Sequence, residues 1–233
     1  MRTIRLSAQR GRTVRAGLEA RHAFSFGQYL DPQHSGLGPL RALNEEWIAP
    51  AVDFDSQGHA DMEIVTLVLS GKLAHSDSVG GDAVLGAGDV QRVTAGSGIR
   101  LSQHNPSSTE GLHLLQIWIV PERDGLPPSV ERLSLDRANL RDGADLLASQ
   151  DGGAGGLTIH ADVQLTARTL TSGEVVNHQI AQGRGIWIQV IRGSIDVDGD
   201  RLMAGDGICV VDEPETTLSA RSDAEFLLID LAL

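Results

Sequence analysis

Apolar residues in this chain come in short blocks and in alternation, and the arrangement repeats. Leu67-Val68-Leu69 runs into Ser70-Gly71 and resumes at Leu73; after a polar turn comes Leu85-Gly86-Ala87-Gly88-Asp89-Val90. Downstream, Ile188-Gln189-Val190-Ile191 runs into Arg192-Gly193 and resumes at Ile195; after a polar turn comes Leu202-Met203-Ala204-Gly205-Asp206-Gly207. Each unit reads as strand, glycine turn, strand, polar turn, then an Ala-Gly-Asp turn into a third strand. Turn signals about every eight to twelve residues between such segments predict a β-sandwich or barrel. Two similar units in one chain predict a duplication. The final segment, Ala224-Glu225-Phe226-Leu227-Leu228-Ile229-Asp230-Leu231, predicts a buried closing strand.

The division between the halves is marked by Pro121-Glu122-Arg123-Asp124-Gly125-Leu126-Pro127-Pro128, where prolines interrupt regular pairing. One or two short helical turns are predicted within 136–148, and the glycine-rich stretch 150–156 is predicted as a loop. The expected fold is all-β, with an N-terminal barrel over 1–120, a linker with short helical turns over 121–156, and a C-terminal barrel over 157–233.

Composition narrows the function classes. Aromatic residues make up 3% of the chain, so the core must be built from Leu, Val, Ile and Ala. A net charge of −12 opposes binding to nucleic-acid phosphates and to anionic membranes. The five arginines within 2–15 are dispersed among polar residues and read as a solvated strand and turn. The lone Cys209 lies among apolar neighbours, cannot form an internal disulfide, and reads as a small buried hydrophobe. No signal peptide or membrane-length apolar run is visible, so a cytoplasmic protein is expected.

Candidate chemistry centres on Gln57-Gly58-His59-Ala60-Asp61-Met62-Glu63. A His-x-His-x-x-x-Glu pattern on a strand would set its ligands on one face, because residues two apart share a face. Here His59 and Glu63 stand, but the first histidine position holds Gln57.

Several separated motifs carry a family resemblance. Arg21-His22-Ala23-Phe24-Ser25-Phe26-Gly27, Gly38-Pro39-Leu40-Arg41, Asp61-Met62-Glu63-Ile64-Val65, Thr94-Ala95-Gly96-Ser97-Gly98-Ile99-Arg100, Asn105-Pro106-Ser107 and His113-Leu114-Leu115-Gln116-Ile117-Trp118 resemble the pirin family. Trp187-Ile188-Gln189-Val190 and Gly205-Asp206-Gly207 extend the resemblance into the second half. It implies a bicupin, two antiparallel cupin barrels packed face to face. Bacterial members resemble quercetin 2,3-dioxygenases, and eukaryotic members are nuclear iron proteins linked to transcriptional co-regulation.

The resemblance also implies a metal site in the N-terminal barrel, built from a His-x-His pair and a His-x-Glu pair. The first pair falls on Gln57 and His59, the second on Leu101 and Gln103. One strong donor of four is retained, and leucine cannot ligate a metal at all. The expectation is therefore a metal-free polar pocket lined by Gln57, His59, Gln103 and Glu63, with no cofactor. If a cofactor is held, it is a single Fe, Ni, Cu or Zn ion in this barrel.

His104 is a possible additional pocket residue, although strand alternation turns it outward when Leu101 and Gln103 point in. His75, His113, His34 and His178 read as structural or turn residues, and Gln189 stands where a cupin glutamate would be, so the second barrel reads as structural. There is no Gly-x-Ser-x-Gly elbow and no phosphate-binding Gly-Lys-Ser/Thr loop. The resulting expectation is a pirin-like module that binds a small molecule or a protein partner, as a monomer. The alternative is a metal-dependent dioxygenase with a reorganised ligand set.

Overall fold

Alternating and doubly apolar segments become strands almost throughout. The computed structural model describes residues 1–136 and 144–233. Through the first half run β1 (Arg2–Arg5), β2 (Gly11–Arg15), β3 (Leu18–His22), β4 (Leu40–Ile48), β5 (Gln57–His59), β6 (Glu63–Ser70), β7 (Leu73–Asp77), β8 (Ala83–Leu85), β9 (Asp89–Thr94), β10 (Ile99–His104), β11 (Leu112–Ile119) and β12 (Ser129–Ser134). The second half carries β13 (Ala144–Ser149), β14 (Leu157–Thr158), β15 (Val163–Leu170), β16 (Val175–Gln179), β17 (Arg184–Arg192), β18 (Ser194–Val197), β19 (Asp200–Met203), β20 (Gly207–Val211), β21 (Glu215–Ala220) and β22 (Ala224–Ala232).

These strands form two barrels, each a seven-stranded sheet facing a four-stranded one. The first has orders β12-β9-β6-β11-β4-β3-β2 and β5-β10-β7-β8; the second has β1-β20-β17-β22-β15-β13-β14 and β16-β21-β18-β19. The all-β, two-barrel cupin architecture expected from the sequence is the one found.

Both large sheets are apolar on both faces, which explains why their strands read as continuous apolar runs. In β11, Leu115, Ile117 and Ile119 enter a core shared by the two halves, while Leu112 and Leu114 enter the first barrel. In β22, Leu227, Ile229 and Leu231 enter the shared core, while Phe226 and Leu228 fill the second barrel. Phe24 of the first half meets Trp187 of the second with ring centroids 4.7 Å apart, inside that shared core.

Two features depart from the expected boundaries. Strand β1 does not join the N-terminal barrel; it pairs with β20, Arg2 opposite Val210 and Arg5 opposite Gly207. The stretch assigned to a linker with helical turns contributes strands to both barrels. Strand β12 pairs along β9, with Ser129 opposite Thr94 and Ser134 opposite Asp89, and β13 pairs with β15. Residues 144–148, within the expected helical stretch, are therefore strand, and 137–143 lie outside the described residues. The physical reason is edge satisfaction: β9 and β20 would otherwise present unpaired backbone groups. The seam at β12 is reinforced by Arg92, which reaches Glu131 at 2.6 Å.

This arrangement makes the N-terminus part of the second barrel's stability. Deleting residues 1–6 strips the β20 edge and should lower the thermal midpoint by several degrees while increasing aggregation. A differential scanning measurement with no shift would show that the β1–β20 pairing contributes nothing.

Candidate functional site

The residues singled out by the pattern meet because β5 and β10 pair antiparallel, with Leu101 opposite Gln57 and Ile99 opposite His59. Period-two alternation turns Gln57, His59, Leu101 and Gln103 to one face. All four line a cavity of about 150 Å³ between the two sheets of the N-terminal barrel. The opposing sheet supplies Glu46 from β4, Ile64 from β6, and Gln116 and Trp118 from β11.

The interior surface is a chain of amides and rings. The Trp118 indole N–H donates to Gln116 Oε1 at 2.7 Å, and the Gln116 amide donates weakly to Gln103 Oε1 at 3.5 Å. His59 and Phe26 both approach Trp118 edge-on, with centroids 5.3 and 5.2 Å away. Leu101 is 6% exposed, so one of the four positions is a buried aliphatic wall.

Glu63 and His104, both entertained as pocket residues, lie elsewhere. Strand β5 ends at His59 and β6 begins at Glu63. Between them the chain turns at Asp61, whose φ is +50°, so the alternation does not run from His59 through to Glu63. Ile64 faces the cavity instead. Glu63 is fully buried, accepting from Thr94 Oγ1 at 2.9 Å, from His160 Nδ1 at 2.8 Å and from the His160 backbone N–H at 3.3 Å. It is a tie between the two halves, and the His160 that completes it was not singled out from the sequence. His104 points outward as alternation dictates, its side chain 43% exposed and 4.0 Å from Asp53.

The remaining histidines have structural partners. His75 is buried against Asp77 at 2.9 Å and Gln91 at 3.0 Å. His113 bonds Glu45 at 2.9 Å and stacks on Trp47. His34 pairs with Asp31 and His178 with Asp230. In the second barrel Gln189 donates to the Asp206 carbonyl, and the interior is packed with aliphatic side chains and Phe226.

Among the lining residues not singled out from the sequence is a carboxyl, Glu46. Its signal was available: on β4 it shares a face with Asn44 and Ile48, the positions that point into the barrel. Burial pushes the Glu46 carboxyl up to about 7, a rise that the nearby Arg15 guanidinium opposes. Burial also holds His59 below the usual imidazole range. Among the described residues neither the Glu46 nor the His59 side chain makes a hydrogen bond to the protein.

The donor chemistry is the test for a metal. The four positions present one imidazole, two neutral amides and one hydrocarbon. Among the described residues no three His, Cys, Asp or Glu side chains come together as a metal-holding group. This set does not fit a transition-metal site, which draws on three or four strong donors.

The Glu46 shift has a definite sign. Between pH 4.5 and 7 the folded protein holds a proton that the unfolded chain has released, so this contribution to stability is complete below pH 4.5 and lost as pH rises through 7. Glu46→Gln removes that loss. It should match wild type at pH 4 and exceed it at pH 8 by up to about 3 kcal/mol, a shift of several degrees in Tm. Melting curves at the two pH values check this; an equal difference at both would contradict the shift.

Comparison with known proteins agrees with this architecture. The Pirin family matches residues 3–119 and the quercetinase C-terminal cupin domain matches residues 146–231. The chain is 40% identical over 228 residues to an Escherichia coli (strain K12) protein named quercetin 2,3-dioxygenase, covering 98% of this chain and 97% of that one. It is 37% identical over 216 residues to a pirin-like protein of Caulobacter vibrioides, covering 92% and 93%. The crystal structure of the Escherichia coli bacterial pirin YhhW in complex with nickel(II) superposes with a TM-score of 0.96 at 40% identity, covering 100% of this chain and 99% of that one. Over its whole length, and in both barrels, this chain belongs to the pirin family.

Proposed function

We propose that this pirin works without a tightly held transition metal, and that its N-terminal cavity binds a small molecule as part of a binding or regulatory module. The observation that carries the reading is Leu101. A buried aliphatic side chain occupies a wall position where the family resemblance implies a histidine ligand. Gln57 and Gln103 supply only neutral amide oxygens at two further positions, leaving His59 as the one strong donor.

In this reading the residues bind rather than react. Trp118 and Phe26 supply an apolar wall, and Trp118 holds Gln116 in place through its indole N–H. Gln57, Gln103, His59 and Glu46 offer hydrogen-bonding groups of both kinds. No residue with a visible activating base lines the cavity, and Cys209 lies in the other half with its thiol pushed up to about 11 by burial.

The second reading is a metal-dependent quercetin 2,3-dioxygenase with a reorganised ligand set. It is favoured by the relative of that name and by the nickel(II) complex of the similar bacterial pirin. It requires a metal held by His59 with weaker partners.

Elemental analysis after incubation with Fe(II), Ni(II), Cu(II) or Zn(II) and desalting separates the two. The expected content is below about a tenth of an equivalent of each metal, because one imidazole with amides is a weak donor set. Near one equivalent of any metal overturns the proposal. The triple variant Gln57→His, Leu101→His, Gln103→Glu should raise metal content to near stoichiometric; failure would show that more than the ligands differs from the family site.

A further inference from the structure

The cavity's charge and rings say more about its occupant than the absent donors do. The Glu46 side chain makes no hydrogen bond and no ion pair among the described residues, although it lines the cavity between the two sheets. A carboxylate taken from water without a partner is costly, so a ligand that completes it is favoured. Arg15 is the one cationic side chain in the lining; it is exposed and sits over the Phe54 ring, 5.2 Å from the centroid. Asp55 adds a second carboxylate. The formal balance of these three groups is negative, with His59 held toward its neutral form by burial.

The rings point the same way. Phe26, Phe54 and Trp118 line the cavity, with Phe26 and His59 each set edge-to-face against Trp118, and ring faces attract cations. Arg15 over Phe54 is already one such contact. A volume of about 150 Å³ also limits the guest, since an engineered apolar cavity of that size takes a single benzene.

We propose that this cavity takes a small organic monocation, an amine or quaternary ammonium compound with about one ring of apolar bulk, its charge set against the Glu46 carboxylate and its body against Phe26 and Trp118. The inference rests on the metal-independent reading of the same cavity. An anionic guest would meet Glu46 and Asp55 with only the exposed Arg15 to offset them. An uncharged guest would leave Glu46 with only the exposed Arg15 as counter-charge. The protein's net charge of −12 also raises the local concentration of cations near its surface.

The test is isothermal titration calorimetry of the full chain, chelator-treated and desalted, with three single-ring probes at pH 8: benzyltrimethylammonium, benzyl alcohol and phenylacetate. The cation should bind about tenfold more tightly than the alcohol, with phenylacetate weakest. Glu46→Gln should remove about that tenfold advantage, bringing the affinity of the cation down to that of the alcohol. Gln57→Lys, at an exposed lining position, adds a positive charge and should weaken the cation in a background where Glu46 is intact. Equal or preferred binding of the alcohol or the anion overturns the inference, as does saturable cation binding that survives Glu46→Gln, or no binding of any probe. Metal content is measured on the protein before chelation. Stoichiometric metal there overturns the metal-independent reading whichever probe binds, and metal-free protein that prefers phenylacetate overturns only the cation.

Discussion

Everything in this molecule depends on two large sheets that are apolar on both faces. One face of each fills its own barrel, and the other joins the shared core where Ile117 and Ile119 of β11 lie with Ile229 and Leu231 of β22. A sheet buried on both sides has no freedom of register, because a slip of one residue would exchange the two faces and bring Gln116 into the shared apolar core. Burial on both sides therefore holds the cavity-facing residues of the first barrel in place. The fully buried Glu63 adds a polar tie across the same boundary, satisfied by Thr94 on one side and His160 on the other.

The two barrels share a scaffold but diverge inside. The second is filled by Ile186, Ile188, Val190, Phe226 and Leu228 with their neighbours, leaving no comparable polar interior. The first is packed at one end by Leu73, Leu112 and Leu114, and at the other by Ile64, Val93 and Ile99. Between these apolar ends lies the cavity with its glutamines, His59 and Glu46. Function follows from what lines that gap, since a fold shared across the family hosts the site without specifying its chemistry. Amides and Leu101 line this gap beside His59, with Glu46 supplied by the opposing sheet.

Much of this was legible in the chain. Alternation set Gln57 with His59, and Leu101 with Gln103, on one face of their strands and turned His104 outward, as the structure has them. The apolar run 224–231 marked a buried closing strand, which β22 is. Other features were not legible. Residues 129–134 and 144–149 lie next to prolines and glycines, and their pairing is with strands far away in the sequence, so local signals suggested a linker. Glu63 was grouped with His59 because the intervening turn at Asp61 carries no proline or glycine to announce it.

The sequence by itself determined the all-β class, the two units, and which residues of one strand share a face, because these follow from patterning along the chain. Only the tertiary structure decided which barrel the N-terminal strand completes, that Glu63 joins the halves, and that Glu46 stands unpaired opposite His59. Those outcomes depend on pairing between strands distant in sequence and on burial, and a carboxylate's protonation is set by what surrounds it rather than by its neighbours along the chain.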